Sequence, residues 1–441
     1  MTPREVLFTT WAGGGSIPPM LSVARALRER GHAVRVLGDP HSAEEIRAAG
    51  LTFVPWTSAP VGDPASAGDD VLRDHEARTP AGGFARMRDR IVCGPAAAYA
   101  HDTLAELRRR PADVVAADAL LLGTHVGAEA AGVPLAALLH FPYPFPTPGA
   151  PPFGPGLPPA RGALGRARDR ALAPLLVKPW DKGLPALNGA RAEHGLAPLG
   201  GVIEAFTRPA RTLVLSPRAL DYPQRRFPAQ VRFAGPRLDD PTWAEPADLP
   251  PGDEPLVLVG FSSTFMDQRA VLQRVADALG RLRVRALVTT GPAIDPATIS
   301  APKRVRLVRS APHGAVLPHA SAVITHAGHG TVVKALAAGV PLVCLPLGRD
   351  QLEVARRVSV AGAGITVGKG ASPARIAAAV GRVLGESAYG SAAGRLASAI
   401  AEELREDRAV LALEALAGTG GASRSAAPAS ASVIASERST I

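Results

Sequence analysis

The stretch that decides the fold is "SAVITHAGHGTVVKALAAGVPLVCLPLGRDQLEVARRVSVAGAG", residues 321–364. Its apolar run Ala322–Thr325 reads as a strand ending at His326. The short loop His326-Ala327-Gly328-His329-Gly330 then opens a helix at Thr331. Such a junction is an anion site: the first N–H groups of the helix are free, its dipole is positive there, and glycines permit close approach. His326 and Thr331 add donors suited to phosphate oxygens. The helix stops at Gly339, Pro341–Leu345 forms the next strand, and a second strand-end loop follows, Leu347-Gly348-Arg349-Asp350-Gln351. In open parallel sheets ligands sit beyond the carboxyl ends of the strands, so both loops point into one crevice. Asp350 and Gln351 set a carboxylate beside an amide, which can accept from and donate to hydroxyls, as binding a sugar requires. Pattern alone leaves a second role open for Asp350, as cap of the helix Leu352–Val360.

Upstream, the same alternation recurs. Val6–Phe8, Ala33–Leu37, Asp113–Ala117 and Leu135–Leu139 read as strands. Leu21–Arg30, Ala43–Ala49 and Gly123–Ala131 read as helices, the first two stopped by Gly31 and Gly50. Strand–helix repetition predicts a parallel sheet covered on both faces. A helical stretch is expected over Arg166–Ala192. After the acidic, proline-rich segment Gly235–Pro255 the alternation restarts, with strands at Leu256–Val259 and Arg285–Thr289 around a helix at Gln268–Leu282. A chain of 441 residues suits two such domains. The fold class is therefore α/β, two doubly wound parallel sheets: 1–234, a linker 235–255, and 256–417, the last helix able to pack back on the first domain. The low-complexity tail 418–441 is expected to be disordered.

Composition excludes several classes. The net charge of +10 comes with arginines interleaved with acids and aromatics at only 4%, so it describes solvated helix faces rather than a nucleic-acid surface. Two distant cysteines, Cys93 and Cys344, allow no disulfide framework or zinc spacing and fit a reducing cytoplasm. No leader and no apolar run of about 18 residues is found, so no membrane span is expected. Residues 141–165, "FPYPFPTPGAPPFGPGLPPARGALG", exclude regular structure, and Phe141, Tyr143, Phe145 and Phe153 within them favour an ordered pocket wall.

Taken in order, His326-Ala-Gly-His-Gly-Thr331, Ala338-Gly-Val-Pro341, Pro346 and Asp350-Gln351 resemble the nucleotide-sugar signature of GT-B glycosyltransferases, which have two facing Rossmann-like domains. The likeness is strongest to bacterial enzymes that glycosylate macrolides, aromatic polyketides and related natural products. It extends to Gly15–Pro19, Ala24–His32, Asp118, Arg232–Pro236 and the run Ser310–Gly328. The resemblance implies that His326, Gly328, Gly330 and Thr331 hold a diphosphate, with Ser263 reaching it too. Asp350 and Gln351 would meet the sugar hydroxyls, and His313 would lie near the base unless it is an exposed loop histidine. His329 reads as a loop residue. The family commonly carries glycine where Ala327 stands, a change that is tolerable if φ is negative there. It often carries asparagine at Val354.

The reaction so implied is attack by an acceptor on the anomeric carbon of a UDP- or dTDP-sugar with inversion, without metal or other cofactor. The expected partners are the small-molecule acceptor and the nucleotide-sugar donor, and the chain acts as a monomer or homodimer. Many relatives place a histidine base in the first glycine loop, oriented by a carboxylate matching Asp118. Here that position is Ser16, too weak a base near neutrality. Asp118 is the first substitute and His140 the second, unless Asp118 is a cap or structural carboxylate and His140 only lines the pocket. The third possibility is an acceptor that needs little help. Two other readings compete. Gly13-Gly14-Gly15 hints at a nucleotide-dependent oxidoreductase, but Pro18 stands where the last glycine of that fingerprint belongs. The absent histidine also suits a non-catalytic partner that activates another glycosyltransferase.

Overall fold

In the computed structural model, which describes residues 2–425, the chain folds around two parallel sheets. The first takes β1 (Glu5–Thr9), β2 (Ala33–Gly38), β3 (Thr52–Pro55), β4 (Val114–Asp118), β5 (Leu135–Leu139), β6 (Arg211–Val214) and β7 (Val231–Phe233). Its order is β3-β2-β1-β4-β5-β6-β7. The second takes β8 (Leu256–Gly260), β9 (Arg285–Thr289), β10 (Val305–Val308), β11 (Ala320–Thr325), β12 (Leu342–Cys344) and β13 (Gly364–Thr366), in the order β10-β9-β8-β11-β12-β13. β4, β5 and β8 are buried at every position, as strands covered on both faces must be.

The crossover helices of the first half are α1 (Ile17–Glu29), α2 (Ala43–Ala48), α3 (Pro80–Met87), α4 (Ala96–Arg109), α5 (Leu122–Ala130), α6 (Gly162–Val177), α7 (Leu184–Glu193) and α8 (Val202–Thr207). Those of the second are α9 (Arg269–Leu279), α10 (His313–Val316), α11 (His329–Ala337), α12 (Gln351–Val360), α13 (Pro373–Gly385) and α14 (Ser387–Glu403). The stretch expected as one helix over 166–192 is instead α6, a 3₁₀ turn over Lys178–Gly183, and α7. Pro179 and Pro185 coincide with the break, each removing an N–H from the ladder, although α6 accommodates Pro174 near its end.

A last helix, α15 (Arg408–Ser425), returns to the first sheet. Its Ala409, Val410, Leu413 and Leu416 share one core with Val6, Phe8 and Leu21, and Glu414 accepts from Arg30 Nε at 2.7 Å. Residues 418–425, expected to be disordered, continue this helix, and 426–441 lie outside the described residues. The linker is clamped as well. Asp239 accepts from Ser22 and Arg25 of α1, while Asp240 accepts from Lys334 Nζ of α11 at 2.6 Å and Gly314 N at 2.9 Å. One acidic dipeptide thus holds both domains.

Candidate active site

Each sheet reverses its strand order once, between β1 and β4 and between β8 and β11. Crevices form beyond the carboxyl ends of strands at such switch points. Here the two crevices face each other across one cleft of ≈ 2940 Å³, several times the size of a drug-sized ligand pocket. The glycine loop after β1 reaches across it: a Cβ on Gly14 would fall 2.4 Å from Thr264 Cγ2 and 2.9 Å from Ser263 Oγ of the second domain. With φ of +68° as well, that position admits only glycine comfortably.

In the second domain, β11 delivers His326 to the cleft. Its ring is 8% exposed and stacks on Phe261 with centroids 5.8 Å apart. Burial pulls its pKa down to about 4, against the opposing pull of the Gly260 carbonyl, so the imidazole is a neutral donor at pH 7. Gly328 caps α11 without a side chain, and Gly330 and Thr331 lie in the first turn, all three on the cleft. The loop after β8 is tied down by Ser262 Oγ to Thr264 Oγ1 at 2.9 Å and Gln268 Nε2 to the Ser262 carbonyl at 3.1 Å. Ser263 is left on the cleft wall. His313, half-buried, sets Nε2 at 3.2 Å from Thr289 Oγ1 and also lines the cleft, which excludes the exposed-loop alternative. Burial holds its pKa near 4.

In the first domain, Asp118 ends β4 and His140 follows β5. The Asp118 carboxyl is wholly buried, with Oδ1 accepting from Leu120 N at 3.0 Å and Oδ2 lying 3.8 Å from His140 Nδ1. That separation exceeds a hydrogen bond. Burial raises the Asp118 pKa, and His140 opposes the rise. His140 itself lines the cleft. Ser16 Oγ, Asp118 Oδ2 and His140 Nδ1 are buried atoms with no hydrogen-bond partner among the described residues. Beyond them the wall is apolar: Phe141, Phe145, Phe84 and Trp180, the last two in an edge-to-face pair at 4.7 Å.

Residues 273–416 match the C-terminal domain of erythromycin biosynthesis protein CIII-like proteins. The chain is 33% identical over 404 residues to 4'-demethylrebeccamycin synthase of Lentzea aerocolonigenes, covering 89% of this chain and 94% of that one. It is 28% identical over 365 residues to the oleandomycin glycosyltransferase of Streptomyces antibioticus, covering 79% and 76%. The chain belongs to the natural-product glycosyltransferases. Its architecture is GT-B, matching the crystal structure of the calicheamicin glycosyltransferase with a TM-score of 0.72 at 25% identity, over 95% of this chain and 99% of that one. It is a nucleotide-sugar-dependent enzyme.

Several site expectations for this glycosyltransferase need correction. Ala327 has φ of +66°, not a negative value, and its methyl is wholly buried. Gln351 spends its amide on its own loop: Oε1 accepts from Leu347 N at 2.7 Å and Gly348 N at 3.0 Å, and Nε2 faces Met266 Sδ at 3.4 Å. Those part-buried N–H groups take their acceptor from Gln351. Asp350 does not cap α12 with its side chain and stays on the cleft, its pKa raised by burial. Tyr143 leaves the acceptor wall for the core, 2% exposed against Phe145 and Phe227. Asp118, ranked first as base, is shut away behind His140.

The sequence reading also missed cross-domain partners. His329, read as a loop residue, sets Nε2 at 2.9 Å from Ser216 Oγ of the first domain. Arg349, at φ of +54°, makes a two-pronged pair with Asp74 at 2.6 and 3.0 Å. No local pattern announces either contact.

Proposed function

We propose that this glycosyltransferase moves a sugar from a UDP- or dTDP-sugar to a flat or bulky apolar acceptor, with inversion at the anomeric carbon and without a metal ion. The observation that carries the reading is the placement of α11's N-terminus and His140 on facing walls of one cleft. On the donor side the free N–H groups of α11, neutral His326, Thr331 and Ser263 meet the diphosphate, whose charge grows as it leaves; fixed dipoles of this kind stabilise such charge well. Asp350 accepts from the sugar hydroxyls. On the acceptor side the aromatic wall holds the ring system, and His140 takes the proton of the attacking group. Asp118, buried behind the imidazole, orients it and stabilises the imidazolium that forms. The attacking atom approaches from the first domain while the diphosphate departs toward the second, which is the geometry of inversion. The kinship with 4'-demethylrebeccamycin synthase supports a natural-product acceptor.

The test is a donor-and-acceptor panel read by mass spectrometry. His140→Ala is expected to lower kcat by about 10²–10⁴-fold, the usual worth of a general base. Asp118→Asn is expected to lower it less and to change the pH profile. Full rate in both variants overturns the base assignment. No product from any UDP- or dTDP-sugar overturns the reading of the donor site.

A further inference from the structure

The proline-rich segment between β5 and α6 is fixed at both ends by charge. At its base, Arg225 donates from Nη2 to the Phe145 carbonyl at 3.0 Å and from Nε to Thr147 Oγ1 at 2.6 Å, and it pairs with Asp221 at 3.1 Å. At its tip, Glu353 of α12 accepts with Oε1 from Gly154 N and Gly156 N, both at 2.8 Å. Glu353 Oε2 accepts from Arg357 at 3.0 Å, Arg357 reaches Asp221 at 3.3 Å, and Arg356 Nε donates to the Gly156 carbonyl at 2.6 Å.

The chemistry of the tip suits this contact. Proline offers no N–H, so the glycines flanking Pro155 supply the donors. A Cβ on Gly156 would lie 2.7 Å from the Leu352 carbonyl oxygen, and its φ is +63°. Glu353 is 1% exposed and stands three residues beyond Asp350 on the same loop-to-helix junction. The bonds to Gly154 and Gly156 join the acceptor half to the donor half, so any opening of the cleft at this edge must break them.

We infer that Glu353 is a positioning residue: it latches the proline-rich segment over the helix that carries Asp350, so that the acceptor rather than water reaches the anomeric carbon. The inference rests on the reading of the cleft given above. With the latch broken, water competes. Its oxygen bonds to the anomeric carbon, the bond to the diphosphate oxygen breaks with its electron pair leaving on the diphosphate, and one proton passes to His140 or solvent. Closing a site against water is what suppresses this loss.

Two substitutions attack the latch from opposite sides in the full-length enzyme. Glu353→Ala removes the acceptor, and Gly156→Ala blocks the docking without changing any residue of α12. Limited thermolysin digestion reads the segment, which carries Phe153 and Leu157. Cleavage there is expected to quicken about tenfold in both variants; the thermal midpoint stays close to wild type in Gly156→Ala, where only local opening is favoured, and falls in Glu353→Ala, which also leaves buried Arg357 without its carboxylate. Release of nucleoside diphosphate from UDP-glucose and dTDP-glucose without acceptor reads the chemistry: kcat for hydrolysis rises about tenfold while donor KM stays within about twofold. Unchanged cleavage in Gly156→Ala overturns the latch. So does a donor KM that worsens in step with kcat in both variants, which would make Glu353 a support of the donor site alone. Hydrolysis absent in all three proteins with both sugars counts against the proposed function, and the digestion still judges the latch by itself.

Discussion

Gly328 and Gly330 stand two residues apart in the donor loop, yet alanine should have opposite effects at the two positions. Gly328 has φ of −59° and ψ of 130°, a conformation open to any residue, so the cost of a side chain is space. An added Cβ would lie 2.6 Å from both Cε1 and Nε2 of His326. The ring cannot swing away freely, because it is 8% exposed and stacked on Phe261. Overpacking of this kind costs about 1–3 kcal/mol. Gly330 lies within the first turn of α11 with nothing within 4 Å of its would-be Cβ. Alanine there contributes about 0.5–1 kcal/mol through helix propensity and a stiffer unfolded chain. The variants should therefore differ by roughly 1.5–4 kcal/mol. Urea denaturation measures the difference, and calorimetric titration with UDP and dTDP measures its functional side. Gly328→Ala is expected to weaken nucleotide binding about tenfold through the displaced imidazole. Gly330→Ala should weaken it only as far as the methyl meets phosphate. A Gly328→Ala protein as stable as wild type, binding both nucleotides unaltered, would refute the packing of His326 against the loop.

The pair Asp74–Arg349, with side chains only 10% and 18% exposed, bridges the domains beside Asp350. Asp74→Asn should cost about 3 kcal/mol by leaving the guanidinium poorly compensated, and a double-mutant cycle with Arg349→Met that shows no coupling would remove that claim. Acid should destabilise both halves, the donor half most. His313 and His326 titrate at about 4 and His329 at about 3, each pulled down by burial, as is His125 at about 4 in the first domain. Because the folded pKa values lie below the ordinary 6.5, the unfolded chain binds more protons. The stabilisation is complete above about pH 7 and is lost as pH falls from about 6.5 toward 4, at about 1.4 kcal/mol per pH unit per histidine. Urea midpoints that stay level from pH 7.5 to 5 would contradict these assignments.

Local patterns carried most of the fold, and their errors have local causes. The helix expected from Leu21 begins at Ile17 because Pro18 and Pro19 occupy its first turn, where a missing N–H costs nothing. The break between α6 and α7 coincides with Pro179 and Pro185. Side-chain partners across the cleft are another matter. Arg349 meets Asp74 over a separation of 275 residues, and Glu353 meets Gly154 over 199. Neither helix periodicity nor strand alternation reports on contacts at that range. Ala327 departs from the expected negative φ for a different reason. Only the geometry of the turn out of β11 demands the left-handed conformation, which costs an alanine about 1–2 kcal/mol, while burying its methyl returns about 0.8. Strain held at a ligand loop in this way is common at functional sites.

The same reasoning gives the absent histidine at Ser16 a structural answer. Ser16 is 2% exposed, its hydroxyl does not cap α1, and no partner among the described residues takes its Oγ. Sheet order then matters: β1, β4 and β5 are adjacent, so Asp118 at the end of β4 lies between the loop after β1 and the residue after β5. A histidine arriving from either neighbour can face that one carboxylate. The resemblance implies a base on the β1 side in many relatives; here His140 lies on the β5 side, 3.8 Å from Asp118, with its ring edge-to-face on Phe141 of the acceptor wall. In the proposed mechanism the carboxylate keeps its place and the base changes strands. On that arrangement, Ser16→His in the His140→Ala enzyme should recover part of the lost kcat, because the orienting group is already in position. No recovery, in a protein that still binds UDP or dTDP, would mean that Asp118 does not orient a base from the β1 side.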